Sequence, residues 1–595
     1  MATHDLIPRR LLQQAVDRPT AIAYQAKVNG QWQPTTWRTY VDQTRAAARA
    51  LIGLGLAREG KVAILGFNRP EWAIFAHAAM LVGGVPAGIY TTCSAEEVHY
   101  IIDHSEATVA LVENAAQLAK VMANRGELPK LKWIVMMRGE PVSGSAGADV
   151  LGWDELLAKA EATPDAVVDQ RVDAIEPSDL AVLIYTSGTT GPAKGVMLSH
   201  ANLIWTARAL MDICGGQASD VALSYLPLSH VAEQMASIHM PAISGATVYY
   251  AESLDKLGEN LKDARPTAFF GVPRVWEKFH EGLAGKLAEA TGTKKRLVEW
   301  TRRVCSDVNA HRDRGEPVPM LLAAQYRIVN RLVISKIKAA LGFDRARFLA
   351  SGAAPIAPDV LQFFASIDLP IRECYGQSED SGPTSFNLTG RTRIGTVGPP
   401  IPGIECKLAE DGEILVRGPN VFIGYYKDPE ATAEVLKDGW LHSGDLGAFD
   451  SDGYLAITGR KKEIIITAGG KNIAPKNIEA ALKQLPLIGE AVVIGDRRKY
   501  LTALVTIDEV AARRIVAGLD GTAVTTAPQV RSAIQAQVDM VNETLARVEQ
   551  VKRFAILPRP FGIDSGELTP TMKIKRSVVA QMYAREIDAL YSDAE

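Results

Sequence analysis

The sequence predicts an α/β protein with a large N-terminal domain of several subdomains, built from stacked sheets and helices, and a small, mobile, mixed α+β C-terminal domain. Three observations support this. At 595 residues the chain is too long for one hydrophobic core. Short apolar runs alternate with helical patterns over the first two-thirds. Beyond about residue 400, short strands separated by Gly-rich turns replace them.

The strand-like runs of the first part are short and almost wholly apolar, which is typical of strands in a buried sheet. They occupy 61–67, 107–113, 180–186 and 246–252. The longer apolar stretch 72–90 is nearly long enough to span a bilayer. His77, the pair Gly83–Gly84 and Pro86 interrupt it, so we predict a buried helix, a turn and a strand.

Residues 274–340 have a helical pattern, in which Leu297, Trp300, Val304 and Val308 recur at helical spacing. From Lys294 to Arg314 there are seven basic and three acidic residues. Either a solvated helix face or a contact with a membrane surface would explain this local positive charge.

Composition excludes some classes of protein. The formal net charge is −3, which provides no overall attraction to nucleic acid. Five scattered cysteines without C-x-x-C spacing indicate a reducing compartment rather than a disulfide or metal framework. The first residues lack an apolar segment of signal-peptide length, so we expect a cytoplasmic protein. Membrane association and a homodimer are left open.

The segment "YTSGTTGPAKGVMLSH", 185–200, follows directly on a strand-like run. Between Thr186 and Gly195, seven of ten residues are Gly, Ser or Thr, and the one charge is Lys194. Such a loop presents backbone N–H groups and hydroxyls to phosphate oxygens. It is not a Walker A loop, because Gly195 stands where that motif has the Ser or Thr that binds magnesium.

This segment closely resembles the signature of the adenylate-forming enzymes, which include acyl-CoA synthetases, peptide synthetase adenylation domains and luciferase. Later segments resemble the family's other motifs, in the family's order: "SYLPLSHVAEQM" (224–235), "SGAAPIAPD" (351–359), "YGQSEDSGP" (375–383), "LHSGDLG" (441–447), "GRKKEIIITAGGKNIAPKNIE" (459–479) and "LTPTMKIKR" (568–576). The residues within these motifs are most similar to those of long-chain fatty acyl-CoA synthetases of the bubblegum type. "GVPRVWEKF" (271–279) is part of that likeness.

The resemblance implies a site for ATP and Mg²⁺. The loop residues would surround the β- and γ-phosphates, Tyr375 would stack on adenine, and Asp445 would bind the ribose hydroxyls. Glu379 would hold magnesium with Thr186 as a second contact, which fits the few protein oxygens that magnesium uses. The full set of nucleotide residues is Thr186, Ser187, Gly188, Thr189, Thr190, Gly191, Lys194, Gly352, Tyr375, Gly376, Glu379, Asp445 and Arg460.

The same resemblance implies a two-step reaction. Lys573 would stabilise charge as the acid attacks the α-phosphate, and His230 would orient the acyl carboxylate. Lys462 would be the hinge about which the C-terminal domain turns. Gly469 and Gly470 would then leave room for the pantetheine arm of CoA, the second substrate. The polar segment 459–462 is the expected linker, which gives domains 1–459 and 460–595.

A long-chain fatty acid is the expected substrate, with an acyl pocket formed from 224–245, 268–276 and 351–356. Two related functions remain alternatives: a fatty acyl-AMP ligase that loads a carrier protein, and a CoA ligase for another carboxylic acid. A noncatalytic lipid-binding or scaffold protein is a third, from another class. The segment from 459 to 475 carries no obvious insertion, which favours CoA over a carrier protein.

Overall fold

The computed structural model describes residues 5–139, 149–186, 192–469, 471–485, 487–516, 522–562, 565–569 and 573–592. Strands and helices alternate through the first part and give way to short strands after residue 400. The mixed α/β class predicted from the sequence is confirmed, with a larger N-terminal and a smaller C-terminal domain. Separate hydrophobic clusters fill the two parts, one extending from Ile7 to Leu455 and another from Ile465 to Phe554.

The strands of the first 460 residues are β1 (Ile22–Val28), β2 (Gln31–Thr36), β3 (Lys61–Leu65), β4 (Val85–Ile89), β5 (Val109–Val112), β6 (Trp133–Met136), β7 (Asp149–Gly152), β8 (Leu180–Thr186), β9 (Lys194–Ser199), β10 (Val221–Ser224), β11 (Thr247–Tyr250), β12 (Ala268–Gly271), β13 (Phe348–Ser351), β14 (Ile371–Gln377), β15 (Gly382–Phe386), β16 (Glu405–Leu408), β17 (Glu413–Arg417), β18 (Gly424–Tyr425), β19 (Leu436–Lys437), β20 (Trp440–Phe449) and β21 (Leu455–Arg460).

The α-helices of this part are α1 (Ile7–Asp17), α2 (Trp37–Gly53), α3 (Pro70–Leu81), α4 (Ala95–Ser105), α5 (Ala115–Met122), α6 (Trp153–Ala158), α7 (Asp165–Asp173), α8 (His200–Cys214), α9 (Val231–Gln234), α10 (Met240–Ser244), α11 (Leu257–Ala264), α12 (Pro273–Ala288), α13 (Gly292–Asp313), α14 (Met320–Val329), α15 (Ser335–Leu341), α16 (Pro358–Ser366) and α17 (Pro429–Val435).

The largest sheet has the strand order β18-β9-β8-β4-β3-β5-β6-β7. From β8 to β7 its strands are parallel, whereas β9 and β18 are antiparallel at one edge. Two further sheets have the orders β10-β11-β1-β2 and β12-β13-β14-β15. The four apolar runs singled out in the sequence form β3, β5, β8 and β11, as predicted.

The apolar stretch 72–90 forms most of α3, a turn and β4, as predicted. Proline starts α3 at its first position, where no N–H is needed, and Gly83 takes a positive φ of 71° in the turn. The helix is buried almost throughout. Among the residues that the structure describes, no helix combines the length and the apolar character that crossing a bilayer requires.

The small domain contains β22 (Ile465–Ile466), β23 (Asn472–Ile473), β24 (Ile488–Ile494), β25 (Leu501–Ile507) and β26 (Val551–Ile556), with α18 (Pro475–Lys483), α19 (Glu509–Arg513), α20 (Thr522–Thr526), α21 (Pro528–Thr544), α22 (Arg576–Met582) and α23 (Ala584–Tyr591). Strands β24, β25 and β26 form its central sheet. Side chains from α18 and α21 fill one face of this sheet, and those of α22 and α23 fill the other.

Candidate active site

A cleft of about 2230 Å³ is lined by residues of both domains. Thr186, Glu379 and Asp445 line it from the large domain. Lys573 lines it from the small domain. Residues that are far apart in the sequence and that the motif comparison assigned to one nucleotide therefore face one space.

The Gly/Ser/Thr loop joins two antiparallel strands. Strands β8 and β9 are paired so that Thr186 lies opposite Lys194, and the residues between them form the connection. A Walker A loop instead leads from a strand into a helix, so the fold explains why that motif is absent. Five of the predicted phosphate ligands lie outside the described residues: Ser187, Gly188, Thr189, Thr190 and Gly191.

Lys194 begins β9 and lies over the ring of Tyr425, with its Nζ 4.7 Å from the ring centroid. The carboxylate of Asp428 is 3.9 Å from the same nitrogen, and both groups are about 40% exposed. An ion pair so exposed is weak in water. Lys194 is therefore available to a more highly charged anion in the cleft.

Glu379 lies in a short 3₁₀ turn, Ser378–Asp380, that follows β14. The Tyr425 hydroxyl donates a hydrogen bond of 2.8 Å to its Oε1. A half-buried carboxylate and the Thr186 hydroxyl are hard oxygen ligands of the kind that Mg²⁺ prefers. Within the described residues no group of three His, Cys, Asp or Glu side chains could bind a metal ion. Glu379 and Thr186 would therefore supply only part of the coordination of a magnesium ion, and the remaining ligands would have to be phosphate or water oxygens.

Asp445 is held in the cleft by two neighbouring side chains. The Tyr375 hydroxyl donates to its Oδ2 at 2.9 Å, and Arg460 Nε donates to its Oδ1 at 2.7 Å. The register of β20 and β21, which sets Asp445 opposite Arg460, creates the second contact. The Asp445 carboxylate raises the pKa of Arg460 above its usual range, so the guanidinium stays charged.

The two remaining glycines of the nucleotide set have packing reasons for lacking a side chain. A Cβ at Gly352 would lie 2.7 Å from the sulfur of Cys374. A Cβ at Gly376 would overlap the carbonyl oxygen of Gly382, where β14 and β15 pair irregularly. Both positions therefore need glycine for close approach of the backbone, whether or not a nucleotide is bound.

Lys573 extends into the cleft from the loop before α22. Its backbone N–H donates to Thr569 Oγ1 at 3.0 Å, and its carbonyl accepts from Thr569 N at 2.7 Å. The side chain is open to solvent where it lines the cleft, although a large amount of protein surrounds the cleft around it. The partial loss of hydration, together with repulsion from Arg460 and Lys476, lowers the pKa of Lys573 to about 8. The group is still mostly protonated at neutral pH.

His230 is the N-cap of α9, and its Nδ1 accepts a hydrogen bond of 3.2 Å from Ala232 N. Burial, with a contribution from Lys573, lowers its pKa to about 4. The ring is therefore neutral, and its proton is on Nε2. A neutral imidazole with Nδ1 occupied is a hydrogen-bond donor and not a base.

The predicted hinge and thioester loop lie beyond Arg460. Lys462 is exposed in the 3₁₀ turn Lys461–Glu463 and lines the cleft. Gly469 is exposed near the tip of the β22–β23 hairpin and does not line it. Gly470 lies outside the described residues. The small domain therefore presents Lys573, not Gly469, to the cleft.

Among the charged residues of the cleft that sequence reasoning missed, Lys476 and Glu373 have pKa values displaced by burial. Lys476, near the start of α18, has a lowered pKa, mainly because it is buried. Burial also raises the pKa of Glu373 to about 7, and its Oε2 has no hydrogen-bond partner among the described residues. Glu373 lies two residues before Tyr375 on β14, a spacing that places both on one face of the strand. That spacing could have identified Glu373, whereas no local pattern distinguishes Lys476.

The apolar wall of the cleft includes parts of all three predicted pocket segments, for example Met235, Phe270 and Ile356. It also includes Met211 and Cys214 of α8 and Ala284 of α12, which the sequence did not indicate. An extended apolar wall next to the charged groups suits a substrate with a polar head and a long hydrocarbon tail.

Comparison with known proteins supplies the family. The family model described as AMP-binding enzyme matches residues 11–426, and that of the AMP-binding enzyme C-terminal domain matches 462–595. The chain is 40% identical to the long-chain-fatty-acid–CoA ligase ACSBG2 of Xenopus laevis, over 96% of this chain and 82% of that protein. It is 38% identical to the long-chain-fatty-acid–CoA ligase FadD15 of Mycobacterium bovis, over 99% and 97% of the two chains.

Solved structures agree in fold. The anthranilate CoA ligase AuaEII in complex with anthranoyl-AMP matches with a TM-score of 0.74 at 19% identity, over 99% of both chains. The adenylation domain of a carboxylate reductase from Mycobacterium chelonae matches with a TM-score of 0.76 at 22% identity, over 100% of this chain and 92% of that one. At these identities the two structures establish the architecture alone.

Proposed function

The chain belongs to the AMP-binding enzyme family, and from this premise we propose that it is a long-chain fatty acid–CoA ligase. It activates the acid with ATP to acyl-AMP and pyrophosphate, then transfers the acyl group to CoA and releases AMP. Relatives named long-chain-fatty-acid–CoA ligase, 38–40% identical over nearly the whole chain, support the substrate class. The observation that carries the reaction is that Lys573 faces the same cleft as Glu379 and Asp445.

In this proposal the nucleotide lies across the large domain's side of the cleft. Asp445 accepts hydrogen bonds from the ribose hydroxyls through lone pairs that Tyr375 and Arg460 leave free. The Tyr375 ring stacks on adenine, and the glycine-rich loop with Lys194 holds the β- and γ-phosphates. Glu379 and Thr186 would hold Mg²⁺, which neutralises phosphate charge.

The first half-reaction joins two anions, so its barrier is largely electrostatic. A carboxylate oxygen of the fatty acid forms a bond to the α-phosphorus as the bond to the pyrophosphate oxygen breaks. Lys573 provides positive charge where the transition state gains negative charge. The carboxylate is already ionised when it binds, and pyrophosphate leaves as an anion, so the step needs no general base. This agrees with the neutral ring of His230, which can donate a hydrogen bond but does not act as a base.

His230 orients the acid in this scheme. Its Nε2–H donates to the carboxylate, because Nδ1 is already engaged with Ala232 N. The apolar wall that includes Met235, Met211 and Ala284 then receives the hydrocarbon chain. Holding the reacting oxygen in line with the α-phosphate supplies much of the rate enhancement.

The second half-reaction needs a different arrangement of the small domain. We propose domains 1–459 and 460–595 that turn about Lys462, so that the β22–β23 hairpin with Gly469 and Gly470 replaces Lys573 at the cleft. The CoA thiol, ionised to its thiolate, then attacks the acyl carbonyl; the bond between the acyl carbon and the AMP phosphate oxygen breaks, and AMP leaves as an anion. The exposed position of Gly469, outside the cleft that Lys573 lines, supports a two-position cycle.

An assay of pyrophosphate release and acyl-CoA formation tests the function, using acids of different chain length with and without CoA. We expect long-chain acids to give acyl-CoA, AMP and pyrophosphate in equal amounts. Accumulation of acyl-AMP without thioester would favour the carrier-loading ligase. A clear preference for a short or aromatic acid would favour the other CoA ligase, and no turnover with any acid would favour the noncatalytic protein.

Peripheral membrane contact, a homodimer and a cytoplasmic location also remain proposals for this chain. Direct interaction with nucleic acid is not part of the proposed function.

A further inference from the structure

The helical rod from Met320 to Leu341 exposes an unusual amount of apolar surface. It consists of α14, a wider π-helical turn at Asn330–Ile334, and α15. The exposed fractions are 91% for Met320, 75% for Leu321, 51% for Ile328 and 48% for Leu332. Spacings of seven and then four residues place Leu321, Ile328 and Leu332 on one face of the rod, and Met320 is exposed at its N-terminal end.

Cations accompany the apolar side chains on this face. Arg327, Arg331 and Lys336 are exposed and alternate with Ile328 and Leu332 along the rod. Within the described part of the chain, none of the three has a carboxylate within 4 Å. The sequence from 317 to 343 contains no Asp or Glu. We call this surface, formed by Met320, Leu321, Arg327, Ile328, Arg331, Leu332 and Lys336, the α14–α15 face.

The neighbouring helix α13, whose basic composition suggested a surface contact, is different. Its Val304 and Val308 are buried. Arg302 donates to Ser366 and lies over the ring of Phe363, while Arg312 pairs with Asp368. The apolar side of α13 is thus covered, and several of its cations already have partners within the fold.

We propose that the α14–α15 face docks the protein onto an anionic lipid bilayer. Apolar side chains between unpaired cations are the pattern of a helix that lies in a membrane interface. The apolar groups would enter the boundary between headgroups and acyl chains, and the long Arg and Lys side chains would reach the anionic headgroups. Charge argues against a second copy of this chain as the occupant, because a symmetric contact would bring the same cations together.

Vesicle flotation in the absence of ATP, acid and CoA tests this proposal separately from the ligase activity. The full chain is mixed with phosphatidylcholine vesicles, with and without phosphatidylserine. We expect binding to the phosphatidylserine vesicles, weakened by salt. The charge variant Arg327→Gln/Arg331→Gln/Lys336→Gln should bind about 100-fold more weakly, since each cation near an anionic surface contributes about fivefold. The apolar variant Ile328→Ser/Leu332→Ser should bind at least about tenfold more weakly.

The matched control is Lys294→Gln/Lys295→Gln/Arg296→Gln on α13, which removes the same charge from another exposed site. It should keep most of the binding, and all variants should keep the thermal midpoint of the parent chain. No binding of the parent chain, or equal losses in the α13 and α14–α15 charge variants, would overturn the proposal. So would a dimer that the apolar variant dissociates while vesicle binding stays unchanged.

Discussion

The two sides of the cleft differ in how their charged side chains are held. On the large domain, Glu379 accepts from Tyr425, and Asp445 accepts from Tyr375 and Arg460. On the small domain, Lys476 and Lys573 have no carboxylate within 4 Å among the described residues, and their charges repel each other. Hydrogen bonds within the protein already hold the carboxylates of the large domain in position. The repulsion between Lys476 and Lys573, by contrast, is relieved only when an anion binds between them.

This difference suggests that the two sides of the cleft have separate roles, nucleoside binding on the large domain and charge stabilisation on the small domain. In the proposed function, the Asp445 side of the cleft would bind the nucleoside in any position of the small domain, because Asp445 is held by Tyr375 and by Arg460, which precedes the proposed hinge at Lys462.

The cationic side pairs with the large domain through Lys575, whose Nζ lies 4.0 Å from Glu97 Oε1. Lys461, one residue before the proposed hinge, donates more closely to Glu413 Oε2 at 3.0 Å. A surface pair such as that of Lys575 contributes little free energy, so in the proposed function the bound triphosphate would help to hold the small domain in place for the first step.

Replacing the adenylation lysine should have the largest effect. Lys573→Ala should lower acyl-adenylate formation, measured by pyrophosphate exchange, by about 1000-fold, as removal of a charge-stabilising group typically does. Thioester formation from supplied acyl-AMP should fall far less, because Lys573 has then left the cleft. Lys552→Ala, an exposed change on β26, is the control. Equal losses in the two assays would contradict a role of Lys573 in adenylation alone.

Restricting the backbone at the proposed hinge should have the opposite effect, slowing thioester formation while adenylation continues. Lys462→Pro should leave pyrophosphate exchange nearly intact and slow thioester formation about 100-fold, since small misplacements of reacting groups cost that much. Lys462→Ala keeps the backbone freedom and should resemble the parent enzyme. If the proline variant lost both activities equally, rotation about this residue would be excluded as its specific role.

Removing the hydrogen bonds of Asp445 with Tyr375 and Arg460 should weaken ATP binding by an intermediate amount. Asp445→Asn removes the charge that Arg460 and Tyr375 contact, and hydrogen bonds to charged groups are worth about 1.5–3 kcal/mol. We expect the KM for ATP to rise about 30-fold with a smaller change in the KM for the acid. Asp452→Asn, in an exposed turn, is the matched substitution. An unchanged KM for ATP would remove Asp445 from the ribose site.

Replacing Lys476 should have the smallest effect on the rate of adenylation, and the effect should appear in the pH dependence of that rate. Lys573 is active when protonated, so adenylation should decline as the pH rises through about 8, the pKa of Lys573. Because Lys476 lowers this pKa, Lys476→Ala should move the decline to higher pH, with a loss in rate of about fivefold or less. Lys471→Ala, exposed on the neighbouring hairpin, should leave the profile unchanged.

Much of the fold could be predicted from local pattern. Strands β3, β5, β8 and β11 are continuous apolar runs, and α3 with β4 follows from an apolar stretch broken by Gly83. The order of the motifs indicated that distant segments share one site. These features depend on neighbours in the sequence, which periodicity and composition record directly.

Other features depend on contacts between distant segments and could not be predicted. The pairing of Asp445 with Arg460 results from the register of β20 and β21. The position of Lys476 in the cleft depends on how α18 packs. Likewise, α13 has the more basic sequence, yet α14 exposes the apolar surface, because tertiary packing covers Val304 and Val308 and leaves Ile328 and Leu332 uncovered.

The antiparallel pairing of β8 and β9 affects how pyrophosphate would be held in the proposed reaction. A phosphate loop that opens a helix keeps the partial positive charge of the helix dipole permanently, whereas here each end of the loop continues as a strand and α8 begins only at His200. The attraction for pyrophosphate would then be shared between Lys194, which stays on β9 of the large domain, and lysines of the small domain such as Lys573. If the small domain turns as proposed, its share of that positive charge leaves the cleft, which would favour release of pyrophosphate before CoA reacts.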